Sequence, residues 1–341
     1  NTPPISISTK PETSPARTTG LLSLEITDFR KIRETGLSFS GGLNLITGAN
    51  AAGKTSLLEA IHCLGRVRSF RTTDADRQIR EDQELFRLVG HVSRPEGRSI
   101  AIGIERRQGR YTIHAAGKPV QRLSDLAGNF PVHIMTGDTE TVLNGGPRYR
   151  RQTLDWALFH VEPAYRQVWQ RYARSLRQRN AALRANAPAD QVTVWDLELI
   201  DAGNALDLMR RDYLQDLQPL VADEVRQLLN GKSFTLRYQS GWTKDHSLEE
   251  ALRKSLETDR SRGYTHPGPH RADCSLWIDD KPVLSHFSRG QQKAVVLAFM
   301  MGQVILQHQR QRGGGAFLLD DLASELDARH QARILAALAE L

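Results

Sequence analysis

The sequence predicts an α/β protein: a mixed lobe built from both ends of the chain, with a helical lobe inserted in its middle. Three observations carry this. β-rich runs dominate from Leu21 to about Met135, apolar residues then recur at helical spacing to about residue 230, and strand-like runs return after Asn230-Gly231. A length of 341 residues suits two lobes better than one. The expected boundaries are a disordered Pro-, Ser- and Thr-rich tail at 1–20, a discontinuous lobe at 21–147 plus 231–341, and a helical insert at 148–230.

Taken in order, Ser23–Ile26, Leu43–Thr47, Leu88–Val92, Ile100–Glu105, Tyr111–His114 and Phe130–Met135 are short apolar or β-branched runs bounded by glycine, proline or charge, and each predicts a strand. A helix is expected over Ser56–Leu64. Asn144-Gly145-Gly146-Pro147 ends this part. From Arg148 to Arg184 the period is set by Tyr165, Trp169, Tyr172 and Leu176. Asn186–Asp190, with Pro188, interrupts it, and Leu199, Leu206, Met209, Tyr213, Leu217, Leu220 and Leu228 set a second helical run. Two long helices joined by so short a loop predict a hairpin or small bundle. Strands are expected again at Ser233–Tyr238, Ser275–Ile278 and Ala316–Leu319, and a helix over Gln291–Gln307.

Several classes are excluded. The longest apolar candidate for a membrane span, Ala294 to Leu306, is interrupted by Gly302 and Gln303, well short of the ~18–20 residues that cross a bilayer. Residues 1–20 lack an apolar h-region, so no secretory signal is expected there. Two cysteines, Cys63 and Cys274, lie 211 positions apart, which excludes a disulfide framework and fits the reducing cytoplasm. The net charge of +7 makes an acidic partner plausible.

Gly48-Ala49-Asn50-Ala51-Ala52-Gly53-Lys54-Thr55, with Ser56 opening the next helix, matches G-x-x-x-x-G-K-[ST] between a predicted strand and a predicted helix. The two glycines permit a backbone curl whose N–H groups converge on phosphate oxygens, and the helix N-terminus adds positive potential. Lys54 supplies a point charge to the β- and γ-phosphates, and Thr55 a hydroxyl for Mg²⁺. ATP and Mg²⁺ are the cofactors this implies. The apolar run Ala316–Leu319 ends in Asp320 and Asp321: the first is placed to hold the metal, the second to act as general base toward water.

Ser288-Arg289-Gly290-Gln291 precedes the apolar helix that begins near Ala294, 32 residues before Asp320. Serine and glycine at a helix start are ordinary capping chemistry, and they equally suit contact with a γ-phosphate. The stretch resembles the S-x-G-Q signature of ABC-type ATPases, and Ser324-Glu325-Leu326-Asp327 resembles their D-loop, with Ser324 and Asp327 at its ends. In such heads the signature helix of one subunit covers the nucleotide on the phosphate loop of the other, so the resemblance implies an ATP-dependent homodimer. Asp138 lies where a Q-loop contact would fall. The 240 residues from Gly48 to Ser288 argue against a transporter-type motor subunit, while an SMC-type head with a short helical stub in place of its arm fits.

Family-specific segments narrow the class. Asp28-Phe29-Arg30, Gly48–Ile61, Arg68-Ser69-Phe70-Arg71, Leu143–Trp156, Gln178–Leu183, Gly268–Asp273, Ser288–Gln291 and Asp320–Asp327 together closely resemble the RecF family of bacterial recombination-mediator ATPases, from about Leu24 to Ala339. The resemblance implies an ABC/SMC-type head and a weak DNA-dependent ATPase. It implies binding of double-stranded DNA and of junctions between single and double strands. It further implies work with RecR and RecO in loading RecA at gaps, in repair, replication and the SOS response. An ATP-binding scaffold with negligible hydrolysis is the alternative, since Asp321 is one methylene shorter than the glutamate of many ABC-type ATPases. The family's γ-phosphate-sensing residue would fall beyond Leu341.

Between 148 and 184 nine arginines face two acids, Asp155 and Glu162. Arg148, Arg150, Arg151, Arg171, Arg174 and Arg177 are the candidates for phosphate contacts, although such a helix face can equally be merely solvated. A second cluster, Arg66, Arg68, Arg71, Arg77 and Arg80, follows the phosphate-loop helix, where Arg68 and Arg71 suit nucleotide or dimer contacts. His270 is expected to be structural.

Overall fold

In the computed structural model, residues 6–9, 20–93, 98–120, 126, 130–136, 141–311, 315–320 and 332 are described. They fall into two units, Asn1–Gly137 with Gln307–Leu341, and Asp138–Leu306. In the first, β1 (Ser6–Thr9) pairs antiparallel with β4 (Asn44–Thr47). Those four residues therefore form a strand within the expected tail: Ser-Ile-Ser-Thr is rich in β-branched and small polar groups, and β4 offers it a row of backbone partners. Residues 1–5 and 10–19 lie outside the described residues.

Around that pair the chain builds β2 (Leu21–Phe29), β3 (Ile32–Ser38), β5 (Leu85–Ser93), β6 (Ser99–Arg107), β7 (Arg110–Ala115) and β8 (Lys118–Pro119). They make one antiparallel sheet in the order β3-β2-β5-β6-β7-β8. Alternation gives one apolar face: Leu24, Ile26, Phe29, Phe86, Leu88, Ile102 and Ile104 are buried. Against them packs α1 (Lys54–Arg66) through Leu57, Ala60, Ile61 and Leu64. Each buried Leu, Ile or Phe side chain here contributes about 1.5–3 kcal/mol.

The other side of α1 meets β9 (Val132–Met135), which pairs in parallel with β13 (Ala316–Leu319). Gly65 makes this approach possible, since a Cβ there would stand 2.7 Å from the Phe130 carbonyl oxygen. Asp320 thereby follows a strand that lies in register with a neighbour of the phosphate-loop helix.

The second unit contains α2 (Gly146–Val161), α3 (Tyr165–Arg184), α4 (Asp196–Leu228), α5 (Leu248–Arg262) and all but the last turn of α6 (Arg289–Gln311). Its three-stranded sheet runs β10 (Phe234–Gln239), β11 (Asp273–Ile278), β12 (Lys281–Pro282). α3 and α4 form the expected hairpin. The single run expected from Arg148 breaks between Val161 and Tyr165, where Pro163 cannot continue a helix. The unit is larger than the 148–230 insert: β10 packs on α4 and β11 on α2, which draws residues 231–306 to the helices. α5 begins with a capping box, Ser247 with Glu250, and ends at Gly263 in the left-handed region.

Each unit holds a buried neutral histidine. His133 Nε2 faces Gln307 Oε1 at 2.7 Å, and His270 Nε2 donates to the Thr265 carbonyl at 3.0 Å while its Nδ1 accepts from the Tyr172 hydroxyl at 2.6 Å. Burial pushes both down to about 4. The unfolded chain, titrating near 6.5, takes up protons that the folded chain refuses. Stability is therefore complete above about 6.5 and is lost as the pH falls toward about 4, by about 1.4 kcal/mol per unit for each histidine. Urea unfolding should show a lower midpoint at pH 5.5 than at pH 7.5, and His270→Gln should flatten that decline.

Candidate functional site

The phosphate loop joins β4 to α1. Gly53 has φ 106°, and Ala51 between the two glycines has φ 63°, a tight curl in which the Ala52 N–H donates to the Ala49 carbonyl at 3.1 Å. Lys54 Nζ donates to the carbonyl oxygens of Gly48 (2.8 Å) and Ala49 (3.0 Å), so the ammonium lies inside the curl. The first turn of α1 has neither a side-chain cap nor an acidic residue, which leaves its N–H groups and partial positive charge for an anion. Gly48, Ala49 and Asn50 are exposed, Lys54 and Thr55 half-buried, and Ser56 is buried beneath them.

Thr55 Oγ1 lies 3.3 Å from Asp320 Oδ1, bridging 265 positions of sequence. A hydroxyl and a carboxylate converging beside a phosphate loop are the hard oxygen donors that Mg²⁺ takes when phosphates and water complete its shell. Among the described residues no group of three or more His, Cys, Asp or Glu is placed to hold a metal ion. Asp138, Asp321, Ser324 and Asp327 lie outside the described residues.

Sequence reasoning missed the group that fixes the loop helix from below. Glu59, one turn into α1 and fully buried, accepts from Arg30 Nε (2.9 Å) and Nη2 (2.6 Å), Ser69 Oγ (2.5 Å) and Arg71 Nη1 (3.4 Å). Arg30 also donates to the Arg77 carbonyl at 2.6 Å. The segments Asp28-Phe29-Arg30 and Arg68-Ser69-Phe70-Arg71 thus meet on one carboxylate. The available signal was an acid flanked on both sides by apolar residues, Leu57-Leu58 and Ala60-Ile61.

In the second unit Ser288 and Gln291 form a capping box on α6: Ser288 N–H donates to Gln291 Oε1 at 3.1 Å, and Gln291 N–H to Ser288 Oγ at 3.4 Å. Ser288, Arg289 and Gly290 are exposed, and a Cβ on Gly290 would meet nothing within 4 Å. The signature residues therefore form an open helix N-terminus, free of close packing at the glycine.

The candidate DNA arginines separate into two groups. Arg150 is bidentate to Asp273 (2.8 and 2.9 Å) and also bonds the Leu143 carbonyl, while Arg151 donates to the Ala272 carbonyl at 2.5 Å. Both are engaged in holding α2 against β11. Arg171 bridges Glu198 (2.6 Å) and Asp201 (2.7 Å) on α4. Arg148, Arg174 and Arg177 are exposed. Arg179 is buried with Asp196, Asp259 and Thr265, and Arg210 with Asp155, so much of the basic excess is structural.

Residues 20–341 match the family described as the RecF/RecN/SMC N-terminal domain. An SMC head bound to the C-terminal winged-helix domain of ScpA shares the fold, with a TM-score of 0.58 at 13% identity, over 94% of this chain and 85% of that one. The fold is an ABC/SMC-type ATPase head. The chain is 41% identical over 309 residues to the DNA replication and repair protein RecF of Thioalkalivibrio sulfidiphilus, covering 90% of this chain and 86% of that protein. It is 40% identical over 323 residues to RecF of Pseudomonas entomophila, covering 94% and 88%. A solved structure of the recombination mediator protein RecF with ATP, of the RecFOR pathway, matches with a TM-score of 0.85 at 26% identity, over 96% of this chain and 91% of that one. The chain belongs to the RecF family of DNA replication and repair proteins.

Lys54→Met removes the ammonium and leaves the loop backbone in place. Nucleotide titration should show Mg²⁺–ATP binding weakened at least about tenfold, the value of one charge-assisted bond, with an unchanged melting midpoint in the absence of nucleotide.

Proposed function

We propose that the chain is an ATP-driven DNA clamp: a homodimer that closes around two Mg²⁺–ATP molecules, grips double-stranded DNA or a junction between single and double strands, and opens when hydrolysis is complete. The observation that supports it best is the meeting of Thr55 and Asp320, 3.3 Å apart, at the mouth of an uncapped helix N-terminus. A buried structural turn has no need of that combination.

In this reading the loop N–H groups and Lys54 bind the β- and γ-phosphate oxygens, and Thr55 and Asp320 would hold Mg²⁺, which supplies charge neutralisation when bound. Asp321 takes the proton of the attacking water. Ser288 and Gly290 of the second copy bring an exposed helix N-terminus to the γ-phosphate, so the dimer lasts only while that phosphate is present. With aspartate as the base, turnover is slow and acts as a timer. The exposed Arg148, Arg174 and Arg177 supply phosphate contacts. RecR, RecO and RecA are the partners through which such a clamp would act at gaps; the solved RecF relative is described as part of the RecFOR pathway.

The test is affinity for duplex DNA at two salt concentrations, with and without a non-hydrolysable ATP analogue. The analogue should tighten binding. Affinity should fall on the order of a hundredfold between roughly 50 and 200 mM salt if about four phosphates are contacted. Affinity indifferent to the analogue would sink the clamp.

A further inference from the structure

We infer that Trp169, with Arg174 and Arg177, forms a stacking site for an unpaired nucleobase, so that this face of α3 takes the single-stranded side of a DNA junction. The inference rests on the clamp reading above and assigns a residue and a ligand class to it.

α3 carries six arginines and no acid in 20 residues. Two of them are engaged in ion pairs of the chain itself: Arg179 is fully buried on Asp196 and Asp259, and Arg171 bridges Glu198 and Asp201 at the surface. Arg174 and Arg177 are exposed, and among the described residues neither has an acidic partner. Trp169 is 43% exposed on the same helix. Among the described residues it makes no ring, cation or hydrogen-bond contact, whereas Trp277 carries the Arg237 guanidinium on its face and bonds Ser275. Trp169, Gln170, Arg171, Ala173, Arg174 and Arg177 border one shallow depression. Ala173, one turn on from Trp169 and one turn before Arg177, has no side chain long enough to cover the indole.

An exposed indole at the rim of such a depression can lie on a base that has already left its stack. Stacking of this kind tolerates any base, because every base presents a π-face, and it works beside cations that follow the backbone. Arg174 and Arg177 stand a turn apart and can fork onto successive phosphates, while the Gln170 amide can bond a base edge. Duplex DNA alone would use the arginines and leave the tryptophan idle. A carboxylate-rich protein would likewise use only the charges.

The full chain, with a non-hydrolysable ATP analogue, is titrated with a blunt duplex and with the same duplex bearing a single-stranded overhang that carries 2-aminopurine at the junction. Wild type should bind the overhang DNA more tightly and quench the probe. Trp169→Ala should lose about fivefold or more on the overhang DNA, stay within about twofold on the blunt duplex, and abolish the quenching. Trp169→Phe should retain most of both effects, and an unchanged melting midpoint in either variant keeps folding out of the comparison. Equal losses on the two DNAs, or undiminished binding and quenching in Trp169→Ala, would overturn the stacking site alone. A wild type that binds neither DNA would overturn the clamp reading and this inference with it.

Discussion

A helix that is to hold a triphosphate must keep its first turn free of protein partners while the rest of it cannot move. α1 meets both demands. Its first N–H groups have no side-chain cap, an arrangement that normally weakens a helix end. One turn further in, the buried Glu59 carboxylate is surrounded by donors from Arg30, Ser69 and Arg71, and Gly65 lets the last turn press onto the Phe130–Val132 backbone. A carboxylate with no exposure is costly unless every neighbour stays in place, and losing one partner of such a pair typically costs about 3–5 kcal/mol. The stiffness of the loop helix is thereby tied to segments 30, 59 and 69–71 at once. The position of Asp320 depends on it, since β13 pairs with β9 and β9 packs against α1.

The second unit follows a related logic with charges. Its long helices carry arginines that read in sequence as one basic surface, yet their partners are distant acids and carbonyls: Asp273 and Ala272 for Arg150 and Arg151, Asp259 for Arg179, Asp155 for Arg210. The segment Gly268–Asp273 works on the same footing. Gly268 bonds the Gly241 carbonyl, Pro269 gives its own to Arg210, and His270 closes on Tyr172. Motifs that look like ligand contacts are here the struts that orient the hairpin. What remains outside, Arg148, Arg174, Arg177 and Trp169, is a smaller set with a clearer chemistry.

How far the sequence could be read follows from the range of the interactions. The phosphate loop, the strand ending at Asp320 and the Ser288 cap are local patterns, and each stands where its spacing places it. The antiparallel strands were legible as short β-rich runs, apart from β3, whose Ile-Arg-Glu-Thr-Gly-Leu-Ser interleaves charge and glycine, the two-residue β8 and β12, and the Ser6–Thr9 strand, which needs β4 beside it. α5 carried a readable start in Ser247 and Glu250 and a stop in Gly263, signals outweighed by its low apolar content. Glu59 and the buried arginines could not be read, because a count of charges does not say which acid lies across the fold. The extent of the second unit escaped for the same reason: β10 and β11 join the helices through packing that no local pattern announces.

The central claim is that the phosphate loop of one copy and the serine-capped helix of another share a single nucleotide. Sedimentation velocity of the wild-type chain, without nucleotide and then in saturating Mg²⁺ with a slowly hydrolysed ATP analogue, addresses it directly. The wild-type chain should shift from one copy to two, and Ser288→Arg should prevent the shift while the variant still binds the nucleotide. A chain that sediments as a single copy in both conditions would contradict it.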